Sequence, residues 1–450
     1  MLWADLAGRR VAVWGFGREG RAALNALARH LPGQAVDLYC SADEADAART
    51  DFPAIAVHAI APDADALSRY DIVIKSPGIS AYRPELLAAK ERGTRFTSGT
   101  ALWFSSHRDV RTVAVTGTKG KSTTSALLAH LARSLGIRTA LAGNIGLPML
   151  ELDDGVADLW VIELSSYQTG EASGVDLGVV TSLYEEHLDW HGSRERYIDD
   201  KLKLLAASKD VLVNAAQPAL LERASGHGGL HTFGDLAGWH VADGFICRGD
   251  ERIALATQVS APGLHNAINA CAALAALELM GLDARASVPA LSTFSPLPHR
   301  LQPLGERHGL HWINDSISTT PLASLAALES VGAQRVALIV GGHDRGLDWA
   351  PFVDAMRVHT PEAIVCEGAN GPRIAAALEA AGVPNVHRVT DLAAAVAASR
   401  HVLGQDGCVL LSPGAPSFDQ FKDYAERGRR FAELAGFEPS AASIQGMGIA

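Results

Sequence analysis

The stretch VAVTGTKGKSTT, residues 113–124, is the feature that most constrains the fold of this chain. Its apolar start predicts a buried strand, which leads through a glycine-bounded turn into a helix. Gly117 and Gly120 let the backbone bend tightly and approach a ligand, because neither residue carries a Cβ. Lys121 offers a charge for phosphate oxygens, and Ser122 offers a hydroxyl for Mg²⁺. A strand, turn and helix of this kind predict a phosphate-binding loop in an α/β protein.

The spacing of this loop is shorter than the standard pattern, since two residues separate Gly117 from Gly120. A glycine-rich turn that binds nothing is the alternative interpretation. The Gly-Lys-Ser-Thr ending after an apolar strand favours nucleotide binding over that alternative. The residues predicted to bind the nucleotide, which the resemblance given below implies to be ATP, are Gly117, Thr118, Lys119, Gly120, Lys121, Ser122 and Thr123.

The composition indicates a globular protein with several domains. The chain has 450 residues, 48% of them hydrophobic and 20% charged, which is enough for sizeable cores. A formal net charge of −11 argues against a general nucleic-acid binder. Five scattered cysteines predict free thiols in a reducing compartment. No stretch reaches the length of a membrane span, so a cytoplasmic protein without a membrane partner is expected.

The first hundred residues contain a second glycine-rich turn. A strand at residues 9–14 precedes GFGREG, residues 15–20, which has the G-x-G-x-x-G spacing of dinucleotide-binding units. That signal is weak alone. Asp37 and Asp43 are candidate ribose ligands, with ordinary loop acids as the equal alternative. A later strand ends in SPGI, residues 76–79, which should reach the same edge of the sheet.

Polar motifs also follow the predicted strands after the phosphate loop. Glu163 ends a continuous apolar run, and a carboxylate at that edge favours a Mg²⁺ ligand over a solvated side chain. A further strand leads to EHLD, residues 186–189. The amphipathic helix predicted at 199–209 carries Lys201 and Lys203, for which a solvated face is the simplest interpretation.

The C-terminal part repeats the alternation of strands and helices. Apolar strands are predicted at 336–342, 363–366 and 408–411, and the last leads into SPGAPSFDQF, residues 412–421. Residues after about Phe437 are expected to be a disordered tail.

Taken in order, these motifs resemble those of the Mur ligases. The matching segments are SPGI, TGTKGKST, GNIG, ELSSYQ, EHLD, DKLK, GLHNAINA, LPHR, NDS, GGHDR and LSPGAPSFDQF. Folylpolyglutamate synthases share the loop but lack the first domain with SPGI. LPHR, WINDS and SFDQFKDYAERG most resemble the glutamate-adding enzymes. The resemblance implies three α/β domains: a Rossmann-like UDP-sugar-binding domain at 1–107, a P-loop-type ATPase sheet at 108–298, and a Rossmann-like amino-acid-binding domain at 299–450.

The resemblance also implies roles for individual residues. The UDP-sugar would be bound by Gly15, Phe16, Gly17, Arg18, Ser76, Pro77, Gly78, Asn144 and His187. Further ATP contacts would come from Asn266, Arg300 and Asp315, with a helix N-cap as the alternative for Asn266. Glutamate would meet Thr319, Arg345, Ser417, Phe418 and Tyr424. The metal ligands would be Ser122, Glu163, His187 and a carbamylated Lys201, and the catalytic residues Lys121, Glu163, His187 and Lys201, which leaves Lys203 at the surface.

The implied reaction is an ATP- and Mg²⁺-dependent amide synthesis in the formation of peptidoglycan precursors. UDP-N-acetylmuramoyl-L-alanine would be activated as an acyl phosphate and attacked by glutamate. The expected partners are these small molecules only, and a monomer is expected. Two other hypotheses are an NAD-dependent oxidoreductase built on GFGREG and a non-catalytic nucleotide-binding regulator.

Departures from the family pattern bear on which glutamate is used. The D-glutamate-adding enzymes read DSKATN where this chain reads DSISTT, so Ile317 replaces a lysine. Arg345 stands where the family has another lysine, and an arginine fork binds carboxylate in a different geometry. Gly414 and Pro416 also depart from the usual residues. The signature resembles a branch that adds L-glutamate and relies on a separate epimerase, so L-glutamate is favoured and D-glutamate is the alternative.

Overall fold

The computed structural model describes residues 1–183, 191, 193–261, 263–295, 297–332, 335–438 and 447–450. Their backbone forms three mainly parallel sheets and one small antiparallel sheet, so the predicted α/β fold class is confirmed. Two compact units are formed by Met1–Ala256, Ala267–Leu291 and the described part of Gly446–Ala450, and by Thr257–Asn266 and the described part of Ser292–Gln445. The domain boundaries at 107/108 and 298/299 stay predictions.

The first sheet is parallel throughout and has the order β3-β2-β1-β4-β5. Its strands are β1 (Val11–Trp14), β2 (Val36–Tyr39), β3 (Ala56–His58), β4 (Ile72–Lys75) and β5 (Arg95–Thr97). The helices between and after them are Arg18–His30, Ala42–Asp51, Ala64–Leu67, Pro84–Glu91 and Gly99–Ser106. Strands β1 and β4 are buried along their whole length, as expected for apolar runs covered on both faces.

The central sheet has the order β11-β10-β9-β6-β8-β7, all parallel, and one more strand pairs with β7. Its strands are β6 (Thr112–Thr116), β7 (Thr139–Gly143), β8 (Leu159–Glu163), β9 (Val175–Val180), β10 (Ser208–Asn214) and β11 (Leu230–Phe233). The described α-helices are Lys121–Ser134, Arg194–Ala207 and Pro218–Ala224. Because β9, β6, β8 and β7 are neighbours and parallel, the residues after each strand meet at one edge.

A small antiparallel sheet follows, with strands β12 (Trp239–Ala242), β13 (Phe245–Arg248) and β14 (Glu251–Leu255). The α-helices Leu264–Leu279 and Ala284–Ser287 come next. No helix among the described residues is both long enough and apolar enough to cross a bilayer.

The second unit contains a sheet with the order β15-β16-β20-β17-β18-β19. Its strands are β15 (Gln302–Arg307), β16 (Leu310–Asn314), β17 (Val336–Gly341), β18 (Ala363–Glu367), β19 (Val386–Arg388) and β20 (Gly407–Leu411). Helices Pro321–Val331, Ala350–Val358 and Gly371–Ala380 share one core with this sheet, and Leu392–Leu403 and Tyr424–Ala435 share another. Because helices cover both faces of the sheet, the ends of its strands are the part left open to a ligand.

The end of the chain forms a strand, β21 (Gly448–Ile449), which pairs antiparallel with β7. The Thr139 amide donates to the Ala450 carbonyl at 2.8 Å, and Arg133 donates to the Gly448 carbonyl at 2.8 Å. Ile449 packs against the core beneath the sheet. The expectation of a disordered tail after Phe437 is therefore wrong for residues 447–450, because backbone pairing and one apolar side chain order them.

Candidate active site

The phosphate loop adopts the predicted conformation between β6 and the helix Lys121–Ser134. Gly117 and Gly120 have φ of 145° and 85°, the left-handed region that favours glycine. A Cβ at Gly120 would lie 2.5 Å from the Asn269 side-chain oxygen, so a larger residue would also have to displace Asn269. Asn269 was part of a predicted motif, but its position against this loop was not foreseen.

Two hydroxyls at the end of β9 hold the loop in place. The Thr118 amide donates to the Ser182 carbonyl, and the Lys119 amide donates to the Ser182 hydroxyl, both at 2.8 Å. The Thr181 hydroxyl donates to the Lys119 carbonyl at 2.6 Å. These hydrogen bonds hold the loop backbone in one conformation, and such pre-organisation lowers the entropic cost of binding a ligand.

Lys121 and Ser122 begin the helix that follows the loop. The Lys121 ammonium donates to the Thr118 carbonyl at 3.0 Å, which folds its chain back over the loop. Ser122 is buried. The first amides of a helix attract anions, so this end of the helix suits a phosphate group.

Glu163 lies at the end of β8, beside β6 and β7 in the register. Its side chain is 1% exposed, and its Oε1 accepts a hydrogen bond from the Asn144 amide at 2.7 Å. Its Oε2 is buried and has no hydrogen-bond partner within the part of the chain that the structure describes. An orphaned carboxylate oxygen beside a phosphate loop suits a divalent cation, which supplies the missing electrostatic partner.

Lys201 faces the loop rather than solvent. It is 2% exposed, and its ammonium donates to the Gly117 carbonyl at 3.0 Å. Tyr197, one helical turn earlier, places its hydroxyl 2.8 Å from that of Thr118. The solvated-face alternative is therefore wrong for Lys201, whereas Lys203 is half-exposed as expected. The predicted ligand His187 lies outside the described residues.

Seven of the nine predicted UDP-sugar residues, at 15–18 and 76–78, gather at the ends of β1 and β4, whereas Asn144 follows β7 and His187 lies outside the described residues. The Ser76 hydroxyl donates to the Gly15 carbonyl at 3.4 Å, so GFGREG and SPGI adjoin. Gly17, Arg18 and Gly78 are exposed there. The Phe16 side chain is instead buried, so only its backbone remains for a ligand.

The structure gives less support to the other two candidates of the first sheet, Asp37 and Asp43, as ligands of a ribose. The Asp37 carboxylate accepts hydrogen bonds from His58 at 2.8 Å and from the Tyr70 hydroxyl at 2.6 Å. Those protein partners already account for the position of its side chain. Asp43 is exposed in the first turn of the helix Ala42–Asp51.

A buried charge cluster joins the first sheet to the central sheet, and sequence reasoning missed it. The Lys75 ammonium lies 3.6 Å from a Glu171 oxygen, and the Ser98 hydroxyl donates to the other oxygen. Burial raises the pKa of Glu171, and Lys75 opposes that rise. Burial also raises the pKa of Glu19 to about 7, with help from the charge of Glu171. A lysine at the end of the apolar strand DIVIK was the available signal.

Asn266, Arg300 and Asp315 belong to the second compact unit. Asp315 is buried, and burial raises its pKa although the Ser318 and Ser412 hydroxyls donate to its Oδ2. Its other oxygen accepts the Leu301 amide at 3.0 Å. The Asn266 side chain is not the N-cap, because the helix already begins at Leu264.

Four of the five predicted glutamate residues lie on the loops after the strands of the second unit, and the fifth, Tyr424, begins the helix Tyr424–Ala435. The Arg345 guanidinium carbon is 5.7 Å from the Phe418 ring centroid, and both side chains are exposed. Ser417 is buried, and Thr319 and Tyr424 are partly buried. The structure thus leaves an exposed cation at this edge that is available to an acidic ligand.

Behind those loops lies a buried arginine that sequence reasoning missed. Arg427 donates to the carbonyls of Ser316 at 2.8 Å and Ala415 at 2.9 Å, so it ties two loops together. Burial lowers its pKa to about 10. Glu367, nearby, has its pKa raised by burial to about 7. Arg427 belongs to the quoted segment SFDQFKDYAERG, but neither its burial nor its contacts with these loops was predicted.

The chain is similar to known protein families and to known proteins. The chain matches the Mur ligase middle domain over residues 115–277 and the Mur ligase glutamate ligase domain over residues 299–414. It is 50% identical over 471 residues to the UDP-N-acetylmuramoyl-L-alanine--L-glutamate ligase of Xanthomonas axonopodis pv. citri (strain 306), with 100% of both chains covered.

Two solved structures share the fold. The UDP-N-acetylmuramate-alanine ligase of Thermotoga maritima aligns with a TM-score of 0.62 at 21% identity, covering 94% of this chain and 98% of the other. The MurF ligase of the same organism, in complex with ADP, aligns with a TM-score of 0.55 at 15% identity, covering 98% and 97%.

Proposed function

The chain belongs to the Mur ligase family, and from this premise we propose that it joins L-glutamate to UDP-N-acetylmuramoyl-L-alanine at the expense of ATP. The observation that carries the proposal is the meeting of the phosphate loop, Glu163 and Lys201 at one edge of the central sheet. The printed name of the Xanthomonas relative, which matches over its whole length, supports this substrate set. The product is a precursor of peptidoglycan.

ATP is needed because a carboxylate is a poor acyl donor. Transfer of the γ-phosphoryl group to the carboxylate of the alanine residue gives an acyl phosphate with a good leaving group. The loop amides after Gly120 and the Lys121 ammonium stabilise the charge that moves onto the transferring oxygens. The glutamate amine then attacks the acyl carbon, and the phosphate departs.

Mg²⁺ would be held by Ser122, Glu163 and His187, and it would neutralise phosphate charge when bound. The Oε2 of Glu163, which has no hydrogen-bond partner among the described residues, fits this role. A carbamate on Lys201 would add an anionic ligand, formed when CO₂ bonds to the neutral amine and a proton is lost. Burial of Lys201 beside Gly117 supports the proposal, because an ammonium next to a cation site is repelled by the cation, whereas a carbamate is attracted to it.

L-glutamate is the proposed amino acid for two reasons. The name of the Xanthomonas relative specifies L-glutamate. In addition, Ile317 and Arg345 replace two lysines of the D-glutamate-adding pattern. A planar guanidinium binds a carboxylate in a different geometry from an ammonium. The hydrogen-bond donors offered to the glutamate therefore differ in position from those of the D-glutamate-adding pattern.

The test is to supply ATP and UDP-N-acetylmuramoyl-L-alanine with each glutamate enantiomer separately and to measure phosphate release. We expect release with L-glutamate at least about 10-fold faster than with D-glutamate. A preference for the D-enantiomer would overturn the stereochemical part alone. No release with either enantiomer, with NAD(H) bound in place of the UDP-sugar, would instead support the oxidoreductase hypothesis.

A further inference from the structure

A tyrosine near the first sheet reaches the helix that carries Lys201. Tyr82 follows the turn at residues 76–79, and its hydroxyl donates to the Asp200 carboxylate, 2.7 Å from Oδ1 and 2.9 Å from Oδ2. The Arg196 guanidinium carbon lies 4.5 Å from the centroid of the same ring, a cation–π distance. One helix therefore holds both the hydroxyl and the face of this tyrosine.

Asp200 is itself held in place by buried His191 and half-exposed Lys203. It is 5% exposed, and its carboxylate lies 2.7 Å from His191 Nδ1 and accepts the Lys203 ammonium at 2.6 Å. The other ring nitrogen of His191 lies 3.0 Å from the hydroxyl of Ser166, in the turn after β8. A buried polar network whose members are paired keeps one geometry, so Tyr82 meets a rigid acceptor.

Another side of the same helix touches the phosphate loop. The Tyr197 hydroxyl lies 2.8 Å from that of Thr118, and the Lys201 ammonium donates to the Gly117 carbonyl at 3.0 Å. Residues four apart on a helix share a face, whereas Asp200 lies about 100° round from Lys201. The helix is thus in contact with the ATP loop on one side and with Tyr82 on another.

We propose that the hydrogen bond from Tyr82 to Asp200 is a positioning link, which sets where the UDP-sugar on the first sheet meets the phosphate loop. This inference rests on the proposed function, because it takes the turn at 76–79 as part of the UDP-sugar site. Tyr82 lies three residues after that turn, so a shift of Asp200 reaches the turn through a short stretch of backbone. Tyr82 is a positioning residue and acts through the turn and the helix that it joins.

Tyr82→Phe removes the hydroxyl and keeps the ring over Arg196. Because the substrate must reach both the first sheet and the loop, we expect its KM to rise about 5- to 20-fold. The KM for ATP should change by less than about 2-fold, since the loop itself is intact. A merely structural role would lower the active fraction and hence kcat, and would leave both KM values in place.

Lys203→Met is the matched control. It removes another hydrogen bond to the same carboxylate without involving the first sheet, so both KM values should stay within about 2-fold of wild type. Asp200→Ala should reproduce the rise in KM, and Tyr82→Phe should then add less than about 2-fold. Independent, multiplying effects of the two substitutions, or an equal rise in the KM for ATP, would overturn the proposal.

Hydrogen–deuterium exchange of the ligand-free protein separates this proposal from the ligase assignment. Amides at residues 78–83 and 194–201 should exchange about 5-fold faster in Tyr82→Phe than in wild type or Lys203→Met. Unchanged exchange there would refute the link even in an active ligase. Faster exchange in Tyr82→Phe, found together with a wild-type protein that has no ligase activity, would support the link as a contact and refute the function.

Discussion

Replacing Glu367 by glutamine tests the electrostatics of the buried edge of the second unit. Glu367 ends β18, is 1% exposed, and accepts a hydrogen bond from the Gln420 amide at 2.6 Å. Burial raises its pKa to about 7; the Gln420 hydrogen bond and the charge of Arg427 only partly oppose that rise, and Asp419 adds to it. Ionising this carboxyl group in the folded protein therefore costs free energy.

The magnitude follows from the shift of this pKa from 4.5 to about 7. At about 1.36 kcal/mol per pKa unit, ionisation costs the folded state roughly 3 kcal/mol. Between these two pH values the folded state keeps a proton that the unfolded state has lost. This contribution to stability therefore declines as pH rises through the interval, and the loss is constant above it.

Glutamine carries no charge and still accepts the bond from Gln420, so Glu367→Gln should stabilise the protein most at high pH. We expect a gain of under about 1 kcal/mol at pH 5 and roughly 3 kcal/mol at pH 8, from urea unfolding followed by tryptophan fluorescence. The control is Glu362→Gln, an exposed carboxyl whose pKa is lowered by its hydrogen bond from Arg335. It should be slightly less stable than wild type by a similar amount at both pH values, because the pKa of Glu362 lies below pH 5 in the folded and the unfolded protein. An equal gain at both pH values, or a loss at pH 8, would refute the reasoning.

The remaining predictions concern the ATP site. Lys121→Ala should lower phosphate release below about 1% of wild type with an unchanged circular dichroism spectrum, and a folded variant that stays active would contradict the phosphate loop. Glu163→Gln should lower release about 100-fold even in excess Mg²⁺, and normal rates would remove Glu163 from the cation site. Lys201→Ala should be nearly inactive and partly restored by small carboxylic acids, whereas Lys203→Ala should keep its rate; full activity of Lys201→Ala would argue against a carbamate. Calorimetry should find UDP-N-acetylmuramoyl-L-alanine bound more tightly than NAD(H), and the reverse order would reassign GFGREG at residues 15–20.

Local features of the site followed from sequence because their causes are local. The glycines of the phosphate loop and Glu163 after an apolar run depend on backbone conformation and strand position, which a short window contains. The helix predicted at 199–209 instead runs Arg194–Ala207, since Ser193 caps its start by accepting the Arg196 amide. That signal was present and was not used.

What sequence did not predict depends on partners far apart in the chain. The hydroxyl of Tyr82 donates to Asp200, which lies 118 positions later in the chain, and no periodicity of the sequence predicts such a pair. Glu367 directly follows the strand predicted at 363–366, and its pKa is raised because other elements bury it. Long-range pairing and burial belong to the tertiary structure, which a motif does not encode.

The antiparallel strand β21 has a practical consequence for how this protein is handled. Its backbone occupies the edge of β7, and Arg133 secures it through the Gly448 carbonyl. Trimming residues 447–450 would leave a row of unpaired amides and carbonyls, which is a template on which a second molecule can add a strand. An affinity tag fused after Ala450 would start at a residue whose own amide and carbonyl are both paired with Thr139. Placing tags at the other end of the chain keeps that sheet edge closed to self-association.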